Sequence, residues 1–433
     1  MRSVFLLLLC VFLYSDDVLD FDLIKMPTQK IQDPLVLIIS GIQGDEPGGF
    51  NATNLFLRHY KILSGEIWII PNLNKHSILR NHRGIYGDMN RKFNVLDVKD
   101  KEYPLIQKIK KIILDERIRV IYHLHDGGGF YRANYIDAMQ NPNRWGNCSI
   151  IDQERVQGSY YEDLFFLSKQ VVENINQNIL QDLHRYHIRN THTATQDKEM
   201  EKSLTFFAIK NHKTALANEA SKNLPLNQRV YYHLLGIEGM LKSVGVEFER
   251  DFELNPKTIY SLMYPKQSMI QIQDSVILPV FGLRAQLSFF PLPKVALSEI
   301  QVKSDQYIMG FLKKKNQVLI KYGNKVITTL NPLFIEFSND LEGVEFEIDG
   351  QRQWVKMGSI VGVKNYFSIF ANNGAYRVNV IGYQSQDGRE DEKKIRLKDF
   401  LKHHSIDRKE RKYRVEFYDL ENRFLGMVVV DFD

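Results

Sequence analysis

The stretch LVLIISGIQGDEPGG, from Leu35 to Gly49, decides the fold of the first half of this chain. LVLIIS is an apolar run that predicts a buried strand, and the glycine-rich turn after it carries Gln43 and Glu46. Open α/β sheets collect ligands just beyond the carboxyl ends of their strands. The stretch therefore predicts a strand, a turn and a site at the turn. It leaves open whether Gln43 is an unusual metal ligand or marks a site that has lost its metal.

Alternating strand and helix patterns continue as far as residue 250. Strand patterns are EIWIIP, from Glu66 to Pro71, and RVIYHLHDGGG, from Arg119 to Gly129. Helical patterns are found at 51–60, 102–115, 160–183 and 227–244. This alternation predicts an α/β fold, a mostly parallel mixed sheet with helices on both faces.

After about Arg250 the pattern changes to short β-type runs such as SMIQIQ, KVITTL, VEFEIDG and FLGMVVVDFD. Turn residues separate them at intervals of about ten residues, which is typical of small sandwiches and barrels. We therefore predict an α/β domain at 16–248, a small β-barrel-like domain at 249–334 and an Ig-like β-sandwich domain at 335–433.

The N-terminus has the pattern of a signal peptide. Arg2 is followed by the apolar run VFLLLLCVFL and a polar break, which predicts a leader over residues 1–15 and export. The run is shorter than the roughly 20 residues that span a bilayer, so we expect no stable membrane insertion. Without the leader, Cys148 is the one remaining cysteine, which excludes a zinc site with two thiolates. A net charge of +5 and the lack of a Lys/Arg tract indicate no nucleic-acid partner.

Four segments of the α/β half carry side chains that could do chemistry. They contain Gln43-x-x-Glu46, Arg83 followed by Asn90-Arg91, His123-Leu124-His125 and Asn218-Glu219-Ala220. His123 and His125 share one face of a predicted strand, and His125 lies at the strand's end. Each residue alone has an ordinary structural explanation, but their joint occurrence indicates one site at the mouth of the sheet.

Together, GIQGDEPGG, RGIYGDMNRKF, HLHDGGG and NEAS resemble the zinc carboxypeptidase family, which includes aspartoacylase and succinylglutamate desuccinylase relatives. The family has a histidine where this chain has Gln43. That substitution, the leader and two trailing β domains make the chain most similar to the periplasmic peptidoglycan D,L-carboxypeptidases. These enzymes trim tripeptide stems and help set helical cell shape.

The resemblance implies one zinc ion per chain, held by Gln43, Glu46 and His125. A neutral amide oxygen is a less favourable zinc ligand than an imidazole nitrogen, so we expect weaker zinc binding than at a two-histidine site. The resemblance also implies that Glu219 is the general base and that Arg83 stabilises the charge that develops on the scissile carbonyl.

Residues implied to bind substrate are Arg83, Asn90, Arg91, Trp145 and Thr205, with Asn90 and Arg91 gripping a terminal carboxylate. The implied substrate is the peptidoglycan tripeptide stem, L-Ala-γ-D-Glu-meso-diaminopimelate, cleaved in the periplasm to a dipeptide. The resemblance also implies cell-shape proteins as partners. Two alternatives stay open: an aspartoacylase-like amidohydrolase of small N-acyl amino acids, and a wall-binding scaffold without catalysis.

Overall fold

The computed structural model describes residues 10–13, 19–371 and 374–433, the first of these by backbone alone. The chain forms two compact units, which divide between Met263 and Tyr264. The strand β1 (Cys10–Leu13) belongs with the second unit. Apart from that strand, the predicted leader lies outside the described residues.

The first unit alternates strands and helices. Its strands are β2 (Ile24–Lys25), β3 (Thr28–Ile39), β4 (Tyr60–Ile70), β5 (Ile118–Gly127), β6 (Phe130–Tyr131), β7 (Gln140–Asn141), β8 (Cys148–Ile151), β9 (His187–Asn190), β10 (Thr214–Ser221) and β11 (Glu247–Arg250). Its helices are α1 (Pro47–His59), α2 (Lys75–Leu79), α3 (Tyr103–Ile113), α4 (Leu164–Asn176), α5 (Thr193–Gln196), α6 (Leu204–Lys210), α7 (Leu226–Ser243) and α8 (Pro256–Met263).

One eight-stranded sheet organises this unit. The strand order is β11-β4-β3-β5-β10-β8-β9, and β2 pairs with β4. The four central strands β4, β3, β5 and β10 are mutually parallel. Strands β2 and β11 pair antiparallel to β4, and β8 pairs antiparallel to β10 and parallel to β9. The LVLII segment is fully buried at the centre of the sheet, as expected for a parallel strand covered on both faces. The predicted α/β class is confirmed.

Two groups of helices cover the sheet. Helices α1, α4 and α7 pack together, and α7 contacts β5 and β10. Helix α6 also contacts β5 and β10, and Lys110 of α3 lies over the ring of Phe207 on α6. Both groups therefore pack on the central strands β5 and β10.

Two elements differ from the sequence predictions. The helix predicted at 160–183 is shorter, because the Asp163 side chain caps its start by accepting a hydrogen bond from the Phe166 amide at 2.8 Å. Residues 256–263, beyond the predicted end of the α/β domain, form α8. This helix buries Ile259 and Met263, which lie four residues apart on one helical face.

The second unit is built from strands, as predicted. Its strands are β12 (Met269–Ile272), β13 (Val276–Pro279), β14 (Gln286–Pro293), β15 (Gln301–Ser304), β16 (Met309–Lys314), β17 (Gln317–Tyr322), β18 (Lys325–Ile335), β19 (Gly343–Ile348), β20 (Gln351–Lys356), β21 (Ser359–Gly362), β22 (Phe367–Phe370), β23 (Arg377–Val380), β24 (Lys412–Tyr418) and β25 (Phe424–Asp431).

These strands form four small sheets, with orders β1-β15-β12-β13, β14-β18-β17-β16, β20-β19-β22 and β21-β25-β24-β23. The last two enclose one apolar core, to which Phe346, Phe367 and Phe417 contribute buried rings. Among the described residues, no helix has the length and apolar character of a membrane span.

Candidate active site

The register of the central sheet places His125 beside Glu219. These residues are direct partners on the neighbouring parallel strands β5 and β10, so their side chains leave the same face of the sheet. Both strands end within two residues of these positions. The sheet therefore presents an imidazole and a carboxyl side by side at its carboxyl edge, where α/β folds place their ligand sites.

The turn after β3 is docked onto the end of β5. Gly41 begins the turn with φ of +71°, a conformation that favours glycine. A Cβ at Gly48 would lie 2.2 Å from Asp126 Oδ1, so the close approach requires glycine there too. The Gly48 amide donates to Asp126 Oδ2 at 2.8 Å. This contact fixes the turn, and with it Gln43 and Glu46, next to the strand that carries His125.

Three donor atoms converge at this point. His125 Nδ1 lies 2.8 Å from Gln43 Oε1 and 3.0 Å from Glu46 Oε2. An amide oxygen, a carboxylate oxygen and an imidazole nitrogen are all accepted metal ligands. No group of three His, Cys, Asp or Glu side chains in the described parts of the chain, this site included, could hold a metal ion, so a site here depends on the Gln43 amide. The Gln43-Glu46-His125 cluster therefore fits a metal ion, with the amide as third donor.

Neighbouring groups orient these donors. His125 Nε2 lies 3.1 Å from His123 Nδ1, and Gln43 Nε2 donates to Asp88 Oδ1 at 2.9 Å. The Asp126 amide donates to Glu46 Oε2 at 3.2 Å. Holding Gln43 by its nitrogen leaves its amide oxygen facing His125. Such outer contacts set ligand orientation in metal sites.

The protonation of the cluster also suits a cation. Burial raises the pKa of Glu46 to about 7, although the Lys222 ammonium 3.4 Å away opposes the shift. Burial, helped by the charge of Arg83, lowers the pKa of His125 to about 3. At neutral pH the imidazole is therefore unprotonated and available as a ligand, and the carboxyl is poised to lose its proton to an arriving cation.

Glu219 is a buried carboxyl that the fold leaves unsatisfied. Its Oε2 has no hydrogen-bond partner among the described residues. Burial raises its pKa well above the ordinary value, and the negative charges of Glu46 and Asp126 add to the shift. An unpartnered carboxyl that readily holds a proton is suited to general acid–base chemistry near neutral pH.

The two predicted arginines have different surroundings. Arg83 donates to Asp88 Oδ2 at 2.8 Å and lies 3.3 Å from Glu46 Oε1. Arg91 donates to the Asn90 carbonyl at 3.0 Å, and no carboxylate in the described part of the chain lies within ion-pair distance of it. Asn90 is held by accepting a bond from the Leu204 amide at 3.0 Å. Arg91 is therefore a free cation on an anchored segment.

One cavity of about 210 Å³ collects every residue that the sequence predicted for the site. Its walls include Gln43, Glu46, Arg83, Asn90, Arg91, His125, Trp145, Thr205 and Glu219. The Trp145 ring is fixed by the Arg189 guanidinium, which stacks 3.6 Å from the ring centroid. The Thr205 hydroxyl lies 3.2 Å from Ser203 Oγ at the start of α6. The structure brings all nine together, and the role of each remains a prediction.

Sequence reasoning missed three charged residues of the site. Lys222 lines the cavity and pairs with Asp45 at 3.1 Å and with Glu46 at 3.4 Å. Asp88 and Asp126 hold Gln43 and Gly48 in place. Asp126 directly follows His125 and Asp88 lies within RGIYGDMNRKF, so their positions gave a signal. Lys222, next after NEAS, gave none.

Comparison with known families assigns the whole chain. Residues 1–264 match the catalytic domain described as a carboxypeptidase controlling helical cell shape, peptidase M99. Residues 266–336 match the β-barrel domain of carboxypeptidase M99, and residues 337–433 match a C-terminal domain of metallo-carboxypeptidase. The chain belongs to the peptidase M99 family. It is thus a metallocarboxypeptidase with a catalytic domain and two β domains.

Solved structures of the cell shape determinant Csd4 from Helicobacter pylori resemble this M99 chain over nearly its full length. The product-bound form is 49% identical, covers 96% of this chain and 100% of its own, and has a TM-score of 0.90. The tripeptide-bound form is 48% identical with coverages of 95% and 100% and a TM-score of 0.90. The mDAP-bound form of Csd4, a D,L-carboxypeptidase, is 50% identical with coverages of 92% and 96% and a TM-score of 0.89. Comparison with curated proteins gave no match.

Proposed function

We propose that this chain is a zinc-dependent peptidoglycan D,L-carboxypeptidase that removes the terminal meso-diaminopimelate from the tripeptide stem. The observation that carries the proposal is the unpaired Arg91 in the same small cavity as the Gln43-Glu46-His125 cluster and the unsatisfied Glu219. A free guanidinium calls for a ligand carboxylate. Csd4, whose structures were solved with tripeptide and with mDAP, supports this choice of substrate.

Gln43, Glu46 and His125 would hold the zinc ion. When bound, zinc supplies Lewis acidity that activates water and polarises the scissile carbonyl. Glu219 takes the proton that the attacking water loses and delivers it to the departing amine nitrogen of diaminopimelate. Its raised pKa allows it to hold that proton between the two steps.

Arg83 and Arg91 divide two electrostatic tasks. Arg83 is oriented by Asp88 and lies beside Glu46, so it can stabilise the negative charge that develops on the scissile carbonyl oxygen. Arg91 has no ion-pair partner among the described residues and binds the free α-carboxylate of the substrate with the Asn90 amide. Recognition of a free chain end makes the enzyme an exopeptidase.

We further propose that the protein is exported to the periplasm, where it would meet its substrate and its cell-shape partners. The support is the signal-peptide pattern of residues 1–15. Determining the mature N-terminus of the protein secreted to the periplasm tests this point. A full-length chain that stays in the cytoplasm would contradict it.

The function is tested by incubating purified protein with muramyl tripeptide, muramyl tetrapeptide and succinylglutamate, and analysing products by mass. We expect release of diaminopimelate from the tripeptide, loss of that activity with a chelator, and its return with zinc. Cleavage confined to succinylglutamate would replace the proposal with an aspartoacylase-like amidohydrolase. Binding of the stem without any cleavage would favour a wall-binding scaffold.

A further inference from the structure

The active-site cavity is too small for a whole muropeptide, and a larger cavity lies next to it. The first holds about 210 Å³, and the second about 600 Å³. Gly128 and Lys222 line the first, and Phe130 and Asn223 line the second. The Gly129 amide donates to Asn223 Oδ1 at 2.9 Å, which joins these two walls. The two cavities are therefore neighbours on the same catalytic unit.

The second cavity has a mixed apolar and polar lining and offers no free charge. None of the eleven residues that line it is a lysine or arginine. Its one carboxylate, Asp137, already accepts hydrogen bonds within its own turn. Oδ1 accepts from the Met139 and Gln140 amides at 2.7 Å, and Oδ2 accepts from Gln140 Nε2 at 2.9 Å. The cavity therefore suits neither an anion nor a metal ion.

Amide side chains supply the available hydrogen bonds. Gln181 and Gln228 both line the cavity, and neither side chain has a partner within the described parts of the chain. The Asn223 oxygen accepts from the Gly129 amide, and its Nδ2 has no partner among the described residues. Gln181 and Asn223 are exposed and Gln228 is half-buried, so a ligand can reach these amides. Amides both donate and accept hydrogen bonds, which matches hydroxyl and acetamido groups.

The base of the cavity is apolar and rigid. The rings of Phe130 and His184 stack at 6.0 Å with an interplanar angle of 7°, and both side chains are buried. His184 Nδ1 is 2.8 Å from the Tyr232 hydroxyl, and its carbonyl accepts from Asn147 Nδ2 at 2.8 Å. A fixed apolar base with convergent polar groups is the usual composition of a small-molecule site.

We propose that this second cavity binds the sugar ring that carries the peptide stem, a neutral N-acetylated hexosamine; this inference rests on the proposed function. The sugar offers hydroxyl and acetamido groups to Gln181, Gln228 and Asn223, and the C–H face of its ring to the Phe130 base. Two stem residues precede the scissile bond and span about 7 Å when extended. Gly128 lines the first cavity and Phe130 lines the second, and these residues are only two positions apart in the chain. The stem can bridge a separation of that size, so the sugar can reach the second cavity.

The test compares kcat/KM for the N-acetylmuramyl tripeptide with that for the N-acetylated tripeptide, two substrates that differ by the sugar. We expect the wild type to prefer the sugar-bearing substrate about tenfold, the effect of one or two added hydrogen bonds. The double variant Gln181→Ala/Gln228→Ala should bring the ratio of the two values close to one. Gln107→Ala, on the exposed side of α3, is the matched control and should leave the ratio unchanged.

Cleavage of both substrates without a sugar preference in the wild type would overturn the sugar site and leave the proposed function intact. An equal fall of both values in the double variant would also overturn it, because that result indicates general damage to the unit. If the wild type cleaves neither substrate, the proposed function fails, and the sugar site fails with it.

Discussion

Strands β5 and β24 both bury polar side chains two residues apart, yet one ends at the candidate active-site cavity and the other carries a buried ion pair. On β5 they are His123 and His125, and on β24 they are Arg414 and Glu416. All four side chains are almost fully buried. Burial of polar groups therefore does not by itself distinguish a site from a structural ion pair.

What differs is whether the buried charges pair with each other, because Arg414 Nε and Glu416 Oε1 also lack hydrogen bonds among the described residues. Arg414 lies 2.9 Å from Glu416 Oε1 and donates to the Ser288 carbonyl at 3.2 Å. The Tyr418 hydroxyl donates to Glu416 Oε2 at 2.7 Å. The charges of this pair are thus mutually compensated, and neither residue is placed to receive a ligand. A compensated buried pair mainly affects the stability of the fold.

At the end of β5, by contrast, charged groups and metal-ligating atoms remain available to bind a metal ion and a substrate. Gln43, Glu46 and His125 converge on one point, Glu219 Oε2 has no partner among the described residues, and Arg91 has no protein carboxylate. Unsatisfied groups that converge on a cavity are what identify this edge as functional.

Glu219→Gln should show the largest difference between an effect on activity and an effect on stability. Without a proton acceptor, kcat on the tripeptide should fall about 1,000-fold. Because burial raises the pKa of Glu219, ionising it in the folded state costs stability above the ordinary glutamate pKa, so the variant's melting temperature should stay the same or rise. Product release by chromatography and thermal unfolding measure both effects. A variant within threefold of wild-type kcat would show that Glu219 is not the base.

The reverse pattern is expected for Arg414→Ala. Leaving Glu416 buried without its partner should lower the free energy of unfolding by about 3–5 kcal/mol. Arg414 lies outside the unit that holds the site, so kcat at 25 °C should not change. Urea unfolding measures the loss, and the double variant Arg414→Met/Glu416→Leu should recover most of it. An unchanged unfolding curve for Arg414→Ala would remove the structural role assigned to β24.

Arg91→Ala tests whether the free cation is for the substrate. We expect kcat/KM for the tripeptide to fall about 100-fold, mainly through KM, because a charge-assisted bond to the terminal carboxylate is lost. A tripeptide with a C-terminal amide is the control. The amidated tripeptide should be a poor substrate for the wild type, and Arg91→Ala should not lower its kcat/KM further. If amidation lowers kcat/KM equally in the variant and in the wild type, the terminal carboxylate does not bind to Arg91.

Metal affinity should depend on pH through one group at the β5 edge. Below about pH 7 Glu46 is protonated, and an arriving metal ion must displace that proton. His125, with its pKa lowered to about 3, adds nothing in this range. Zinc affinity should therefore fall about tenfold for each pH unit below 7 and level off above it. Competition with a chromogenic chelator between pH 5.5 and 8.5 gives the slope, and a slope of zero or two would contradict this assignment.

The smallest effect is expected for Gln43→His. An imidazole is a better zinc ligand than an amide oxygen, so affinity should rise about tenfold. Gln43→Ala, which removes the donor, is the matched control and should bind zinc more weakly than the wild type. If both variants bind zinc as the wild type does, Gln43 is not a ligand.

The sequence predicted the sheet and its helices well, because the buried parallel strands are uninterrupted apolar runs such as LVLII and helices such as α3 have regular apolar spacing. It also named nine residues that share one cavity, since strand ends and the resemblance to a family pointed to them. The roles of those nine and the predicted domain boundaries remain predictions.

Other features could not be predicted, for physical reasons. The Gly48 contact with Asp126 joins the start of α1 to the end of β5, and no local pattern encodes it. Lys222 reaches Glu46 through tertiary packing alone. The large cavity beside Phe130 is lined by residues from separate segments of the chain, so nothing in the sequence indicated it. Long-range contacts of this kind become visible only when the chain is folded.

Anomalous diffraction at the zinc absorption edge, on crystals grown with zinc, shows whether the Gln43 amide is a zinc ligand. We expect one peak in the catalytic unit, about 2.0–2.2 Å from Gln43 Oε1, from the Glu46 carboxylate and from His125 Nδ1. Absence of that peak, or a zinc ion bound by Glu46 and His125 with the Gln43 amide turned away, would contradict it.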